Sequence, residues 1–234
     1  MNLNERIEAW LHASIASVRP NSRPFVTLCY AQGWDGSIAT QPGKSLAISS
    51  SESCRLTHQL RSLHDGILVG IDTVLSDDPQ LTVRLWPGGR NPQPIVLDSQ
   101  ARLPLDARLR RSERPCWVLT TKPGAGEGAE FLQVEADAEG RVELGAALAL
   151  LRARGIHHLM VEGGSNVITA FLRAGLADAV VLTVAPLIVG GYKAVGELGC
   201  TCKTQVTRIA PLHSERLGDD LIIWGRLQYG EAAA

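Results

Sequence analysis

Apolar residues recur at three- and four-residue intervals near the start of the chain: Leu3, Ile7, Trp10, Leu11 and Ile15 share one helical stripe. Asn2 followed by Glu5 has the form of a capping box, so residues 3 to 17 are predicted as an amphipathic helix. The segment Arg19-Pro20-Asn21-Ser22-Arg23-Pro24 breaks it. Such a helix either packs back on the domain or docks on a partner, and packing back is the expected arrangement. Beyond the break the period changes. Short β-branched runs at 25–30, 66–70, 94–98, 116–120, 158–161, 179–185, 204–209 and 221–226 alternate with helix candidates at 49–63, 144–155 and 166–174. Strand and helix in alternation predict an α/β fold in three layers, with a mostly parallel central sheet and helices on both faces. Only a polar segment ending in Gly218-Asp219-Asp220 separates the last two runs, which predicts a closing C-terminal antiparallel hairpin. The stretch 123–129 is low in complexity and is expected as a flexible surface loop. The expected division is an N-terminal helix and linker over 1–22 and one domain over 23–234.

Composition narrows the classes. The 234 residues are 45% hydrophobic and 20% charged, a globular balance. A net charge of −1 supplies no broad basic field, which argues against nucleic acid or an anionic membrane as the main partner. No run reaches the roughly 18 apolar residues of a membrane span, and Glu5, Arg6 and Glu8 stand where a secretory leader would be apolar. A cytoplasmic protein is expected. Five scattered cysteines suit free thiols in a reducing compartment. Cys200 and Cys202 form a CxC, but no matching second pair completes a zinc site, so no metal is expected.

Two segments carry candidate chemistry. The run His158 to Val161 leads into Glu162-Gly163-Gly164-Ser165-Asn166 and then an apolar helix. Strand, glycines and helix N-terminus together gather backbone N–H groups where a phosphate or pyrophosphate can sit. The plainer alternative is a tight turn with Ser165 or Asn166 as N-cap. Glu162, at the carboxyl end of its strand, stands where open α/β sheets bind ligands and suits the N–H groups of a heterocycle; a solvated turn residue is the alternative. The second segment, Thr73 to Arg84, holds paired aspartates before Pro79, and with Arg61 upstream it offers a carboxylate and guanidinium groups for a phosphate. Arg61 and Arg84 serve equally well as surface residues on composition alone. His157 and His158 point to opposite faces of a strand and cannot chelate one metal together. No arrangement supports covalent catalysis.

Several ordered motifs then resemble one family. They are Arg23-Pro24-Phe25-Val26-Thr27-Leu28, Trp34-Asp35-Gly36-Ser37-Ile38-Ala39, His64-Asp65-Gly66-Ile67-Leu68-Val69-Gly70 with Thr73 to Arg84, Pro94-Ile95-Val96-Leu97-Asp98-Ser99, Val161-Glu162-Gly163-Gly164-Ser165, and Ala185-Pro186 with Gly190-Gly191. From about Arg23 to Leu227 the chain resembles the reductase domain of the bifunctional riboflavin-biosynthesis deaminase/reductase family. The resemblance implies a dihydrofolate-reductase-like sheet, a homodimer, and NADPH-dependent reduction of the ribosyl group of 5-amino-6-(5-phosphoribosylamino)uracil, or its diamino analogue, to ribityl. By matching motifs, Ser45, Arg61, Leu81, Arg84 and Glu162 would hold the substrate, with both arginines on its phosphate and Glu162 on the pyrimidine. Ala31, Ser49, Thr73, Asp77, Ser99 and the Gly164-Ser165-Asn166 turn would line the cofactor, and Asp77 is the candidate catalytic residue. Ser99 and Arg102 are candidates for the cofactor's 2′-phosphate. Cys29 stands where many bacterial members carry a lysine that contacts the pyrimidine, and Ala47 where they carry a tryptophan. The family's deaminase half has no counterpart in these residues, so the expected substrate is left open between the uracil form, the diamino form of archaeal and fungal relatives, and another pyrimidine-derived compound of a side pathway. A reductase of a pterin or folate, and a non-catalytic binding module keeping the fold, are the competing readings.

Overall fold

The computed structural model describes residues 1–18 and 22–230. Arg19, Pro20 and Asn21, where most of the expected helix break falls, lie outside the described residues. From the N-terminus run α1 (Leu3–Ala16), β1 (Phe25–Gly33), β2 (Ser37–Ala39), α2 (Ser51–Ser62), β3 (Gly66–Gly70) and α3 (Ile71–Asp77). Then come β4 (Gln93–Leu97), β5 (Cys116–Thr120), β6 (Ala129–Gln133), α4 (Leu144–Ala153), β7 (His158–Val161) and α5 (Ser165–Arg173). The chain closes with β8 (Ala179–Ala185), β9 (Tyr192–Lys193), β10 (Arg208–Leu217) and β11 (Asp220–Gln228).

Nine strands form one sheet in the order β10-β11-β8-β1-β7-β3-β4-β5-β6. From β8 to β6 every neighbouring pair is parallel, and β11 and β10 add antiparallel to the β8 edge. Parallel strands covered on both faces must be apolar on both, and β3 and β8 are buried at every residue. Alternate residues feed two layers of core. On one face Leu28, Leu68, Ile95, Leu159 and Val161 meet α4 and α5 through Leu148, Leu151, Ile168 and Phe171. On the other, Cys29, Met160, Val181 and Trp224 meet α1 and α2 through Leu3, Ile7, Leu11, Leu56 and Leu60. Farther along this second face, Ile67, Val69, Val96 and Val118 pack on Ile71 and Val74 of α3. The N-terminal helix therefore belongs to the core layer, and its Asn2–Glu5 capping box is formed in both directions.

Polar clamps set the strand starts. Arg23 makes a bidentate pair with Asp178, whose carboxylate also accepts from the Val26 N–H, fixing β1 beside β8. Asp65 accepts from the N–H groups of His157 and His158 and ties the start of β3 to that of β7.

Four departures from the sequence expectation stand out. The run expected as a strand at 204–209 is a short 3-10 turn over Lys203–Gln205 followed by β10, which begins only at Arg208 and continues to Leu217. The polar segment assigned to a loop is thus an edge strand, where exposed polar side chains and Pro211 are tolerated because one side has no partner strand. The stretch after Gly70, to which the sequence reading assigned no element, is helical over seven residues. The expected surface loop is a loop as far as Gly128, held by Arg110 donating to the Glu127 carbonyl, but the strand that follows it, β6, was not among the expected runs. Finally, β2 and β9 pair as a separate two-stranded ribbon, too short to show a period.

Candidate functional site

The carboxyl ends of β1, β3 and β7 open into a cavity of about 770 Å³. Its floor is the strand ends with Cys29, Glu162 and Gly70, one wall is α2, another is the α5 turn, and Ile38, Ala39 and Tyr192 of the β2–β9 ribbon cover part of it. The ribbon is anchored by Asp35, which accepts from Ser37 Oγ at 2.7 Å, Lys193 Nζ at 3.0 Å and the Gly190 N–H at 2.8 Å. These bonds hold the Asp35 carboxyl well below the usual carboxylate range. The Trp34-Asp35-Gly36-Ser37 and Gly190-Gly191 motifs are thereby one structural unit.

At the base of the cavity Arg61 grips Glu162 in a fork: Nε donates at 2.7 Å and Nη2 at 2.5 Å, while Nη1 donates to the Thr82 carbonyl at 2.9 Å. Both side chains are largely buried, at 10% and 19% exposure. Although burial works against its charge, the Glu162 carboxylate raises the Arg61 pKa on balance. Cys29, fully buried beside them, has its thiol pushed up by burial and by Glu162, so it is a neutral neighbour.

Above α2 a loop without regular structure is held by side chains. The Thr82 carbonyl takes Arg61, the Val83 N–H donates to Asn91 Oδ1 at 2.7 Å, and the Arg84 N–H donates to His58 Nδ1 at 2.8 Å. Asp78 and Leu81, flanking Pro79-Gln80, are in the left-handed region at φ 40 and 53, an arrangement that a non-glycine residue keeps only where its surroundings enforce it. Arg84 itself is exposed; its pKa is lowered by desolvation, by Arg61 and by Arg108, so guanidinium groups crowd this corner.

The opposite wall is the turn from β7 into α5. Gly163 and Gly164 have φ of 119 and 80, and Gly164, not the expected Ser165 or Asn166, is the N-cap. Ser165 instead opens the helix, because glycine alone enters it from positive φ. No side chain of the described residues caps α5, and its first residues, Ser165, Asn166 and Val167, line the cavity. A Cβ at Gly164 would come 3.1 Å from Thr73 Oγ1, and one at Gly70 would come 2.7 Å from Val167 Cγ2. A cradle of this shape suits a pyrophosphate and therefore fits a dinucleotide.

The cavity thus unites Ala31, Ser45, Ser49, Arg61, Thr73, Asp77, Glu162, Gly164, Ser165 and Asn166 from the sequence-derived set. Asp77 lines it from the last turn of α3. Four expected residues fall outside that lining, among them Arg102, which pairs with Asp72. Leu81 is buried and lines a smaller second cavity, Arg84 stands on the clamped loop, and Ser99 follows β4 with its hydroxyl accepting from the Val142 N–H. His58 and Tyr192 line the cavity and were missed; His58 lies three residues before Arg61 on α2, so helical spacing alone puts the two on one face.

A cleft at the carboxyl ends of a doubly covered parallel sheet, closed by an uncapped helix start, defines a small-molecule-binding α/β domain with a place for phosphate. Residues 24–223 match the family described as the RibD C-terminal domain, and the chain belongs to that family. It is similar to the riboflavin biosynthesis protein RibD of Aquifex aeolicus, 39% identical over 206 residues, covering 86% of this chain and 57% of that one. The chain therefore spans little more than half the length of that relative. It is equally similar, 39% over 210 residues, to the 2,5-diamino-6-ribosylamino-4(3H)-pyrimidinone 5′-phosphate reductase of Methanothermobacter thermautotrophicus, covering 86% of this chain and 97% of that one. Among solved structures, RibD of Acinetobacter baumannii superposes with a TM-score of 0.80 at 25% identity, over 94% of this chain and 62% of that one.

Proposed function

We propose that the protein is an NADPH-dependent reductase of riboflavin biosynthesis that converts the ribosyl group of 2,5-diamino-6-ribosylamino-4(3H)-pyrimidinone 5′-phosphate to ribityl. The observation that carries this reading is the joining, in one cavity, of the Arg61–Glu162 fork and the glycine turn opposite, with the loop bearing Arg84 tied to that fork through the Thr82 carbonyl. The archaeal relative named for this reaction matches over nearly its whole length.

The diamino substrate and its deaminated uracil counterpart differ in one exocyclic group, an amino donor against a carbonyl acceptor. Glu162 keeps lone pairs beyond the two given to Arg61, and Cys29 brings no cation to that wall. The wall therefore accepts hydrogen bonds and matches the amino form. Arg84, crowded by Arg61 and Arg108, holds the 5′-phosphate, with Ser45 and the remaining N–H groups of Arg61 completing the substrate side. Ala31, Ser49, Thr73, Ser99 and the Gly164-Ser165-Asn166 turn would hold the cofactor. Arg102, paired with Asp72 at 3.0 Å and close to Ser99 in the chain, supplies a cation for a 2′-phosphate, which favours NADPH over NADH. Bound there, the reduced nicotinamide supplies a hydride to the opened sugar carbon, while the chain's part is to orient the reactants. The Asp77 carboxylate, at the cavity edge, orders the nicotinamide side or passes a proton. The reading includes a cytoplasmic homodimer: β10 stands at the edge of the sheet with Leu212 60% exposed.

Absorbance at 340 nm, with the diamino and deaminated substrates offered separately, tests the reaction. Faster NADPH oxidation with the diamino form is expected, and Asp77→Asn should keep the fold while slowing turnover at least about 100-fold, the lower end of acid–base contributions, which run roughly 100- to 10,000-fold. Turnover of neither substrate, or undiminished turnover in Asp77→Asn, would refute the corresponding assignment.

A further inference from the structure

We infer that His58 is a positioning residue for substrate phosphate, acting through the main chain of the loop that carries Arg84. The inference rests on the reading of Arg84 as the phosphate ligand. His58 is 5% exposed and lies one helical step from Arg61 on α2. Its Nδ1 accepts from the Arg84 N–H at 2.8 Å and more weakly from the Leu85 N–H at 3.3 Å. A ring nitrogen that accepts from two backbone donors carries no proton, so the neutral ring holds its proton on Nε2. Burial and the flanking charges of Arg61 and Arg84 keep it in that state, with a pKa drawn down to about 4.

The loop has no regular structure of its own from Gln80 to Leu85, so its main chain is placed by what grips it. Three side chains do so: Arg61 at the Thr82 carbonyl, Asn91 at the Val83 N–H and His58 at the Arg84 N–H. Of these, His58 alone bonds the residue whose guanidinium is assigned to the phosphate. Arg61 and His58 project from the same helix, so α2 fixes the separation between the Glu162 fork, which takes the base, and Arg84, which takes the phosphate. A misplacement of about 1 Å in such a clamp costs up to about 100-fold. Without the Nδ1 acceptor, two partly buried N–H groups would seek other partners and the loop would leave its register.

The test compares KM and kcat of the full chain for the phosphorylated substrate and its dephosphorylated ribosylamino counterpart, with the KM for NADPH measured alongside. Arg84→Ala should raise KM for the phosphorylated substrate about 10- to 100-fold, as loss of a charge-assisted bond predicts, and hardly change that for the dephosphorylated one. His58→Leu should raise KM selectively for the phosphorylated substrate by roughly tenfold. His58→Asn, whose Oδ1 replaces the Nδ1 acceptor, should restore most of the loss, whereas His58→Gln, which reaches toward the Nε2 position, should not. If His58→Leu does not fold, the Asn and Gln pair carries the same comparison. An effect of Arg84→Ala with none from His58→Leu or His58→Gln overturns the inference alone. Equal losses on both substrates also overturn it, since they mark a merely structural role. An unchanged KM in Arg84→Ala overturns the reading of Arg84 together with the inference built on it.

Discussion

Arg61 and Glu162 form a largely buried pair whose two halves depend on each other. A carboxylate at the end of β7, facing a cavity beside an apolar core, would be costly to keep charged alone, and the guanidinium fork offsets that cost. Removing one partner is therefore worse than removing both: breaking such a pair costs about 3–5 kcal/mol, while replacing both by apolar groups is often neutral. Arg61→Met should lower the melting temperature by roughly 10 °C, at about 2–4 °C per kcal/mol for a chain of this size. The double variant Arg61→Met with Glu162→Leu should regain most of it, although neither variant should bind substrate. Calorimetric melts of the three proteins decide the point, and a double variant less stable than Arg61→Met would show that the fork contributes net stability of its own. Asp98 is less well paired: fully buried, it accepts the Leu103 N–H on Oδ2 at 2.8 Å, while Oδ1 has no hydrogen bond among the described residues and only Arg102 Nε at 3.8 Å, so burial raises its pKa.

At the scale of elements, α1 behaves as part of the sheet's cover. Ile7 and Leu11 are fully buried against the layer that holds Trp224, and Arg6 lies over the Trp224 ring while pairing with Glu215 of β10. Leu11→Ala should cost about 2–5 kcal/mol in urea unfolding, the range for truncating a buried leucine. A change below about 0.5 kcal/mol, the usual scale of surface substitutions, would mean that the helix is not part of the folding unit. The periodicity of Leu3, Ile7 and Leu11 announced that helix because one face is buried and the other wet. Strands β3, β5, β7 and β8 were equally legible, because burial on both sides demands unbroken apolar runs. Where burial is partial the signal fades. In β10 every residue remains at least partly exposed, so the stretch with His213, Glu215 and Arg216 gave no strand signal, although the pairing with β11 is extensive. The β2–β9 ribbon is held chiefly by Asp35 and Lys193, residues too far apart in the chain for any local window to contain both. The site divides in the same way. Motif spacing located Glu162 and the glycine turn, but the grip of Arg61 on Glu162 and of His58 on Arg84 depends on how α2 lies across the strand ends.

For the whole molecule, the same histidine links the site to acid stability. His58 and His64 are both drawn down to about 4, each chiefly by burial, and in opposite tautomers. His64 donates through Nδ1 to the Leu60 carbonyl at 2.6 Å and accepts at Nε2 from Thr27, whereas His58 accepts at Nδ1. In the unfolded chain both titrate near 6.5. Between about pH 6.5 and 4 the unfolded state therefore binds more protons than the folded one, so stability falls as the pH drops through that window and is fully present above it. Each pH unit separating a ring's folded and unfolded pKa corresponds to about 1.4 kcal/mol, so the two rings together contribute on the order of a few kcal/mol. Asp98, with its raised pKa, opposes them weakly, while Asp35 adds to the loss only at still lower pH. Thermal melts from about pH 7.5 to 4.5 should show a decline that begins near 6.5, and His58→Asn, which does not titrate there, should flatten it. A profile level down to the acid end of that range, or the same slope in His58→Asn, would show that these rings take up protons without cost. With a sloping profile in the native protein and a flatter one in the variant, the neutral ring on α2 that accepts from the Arg84 N–H also contributes stability above about pH 6.5.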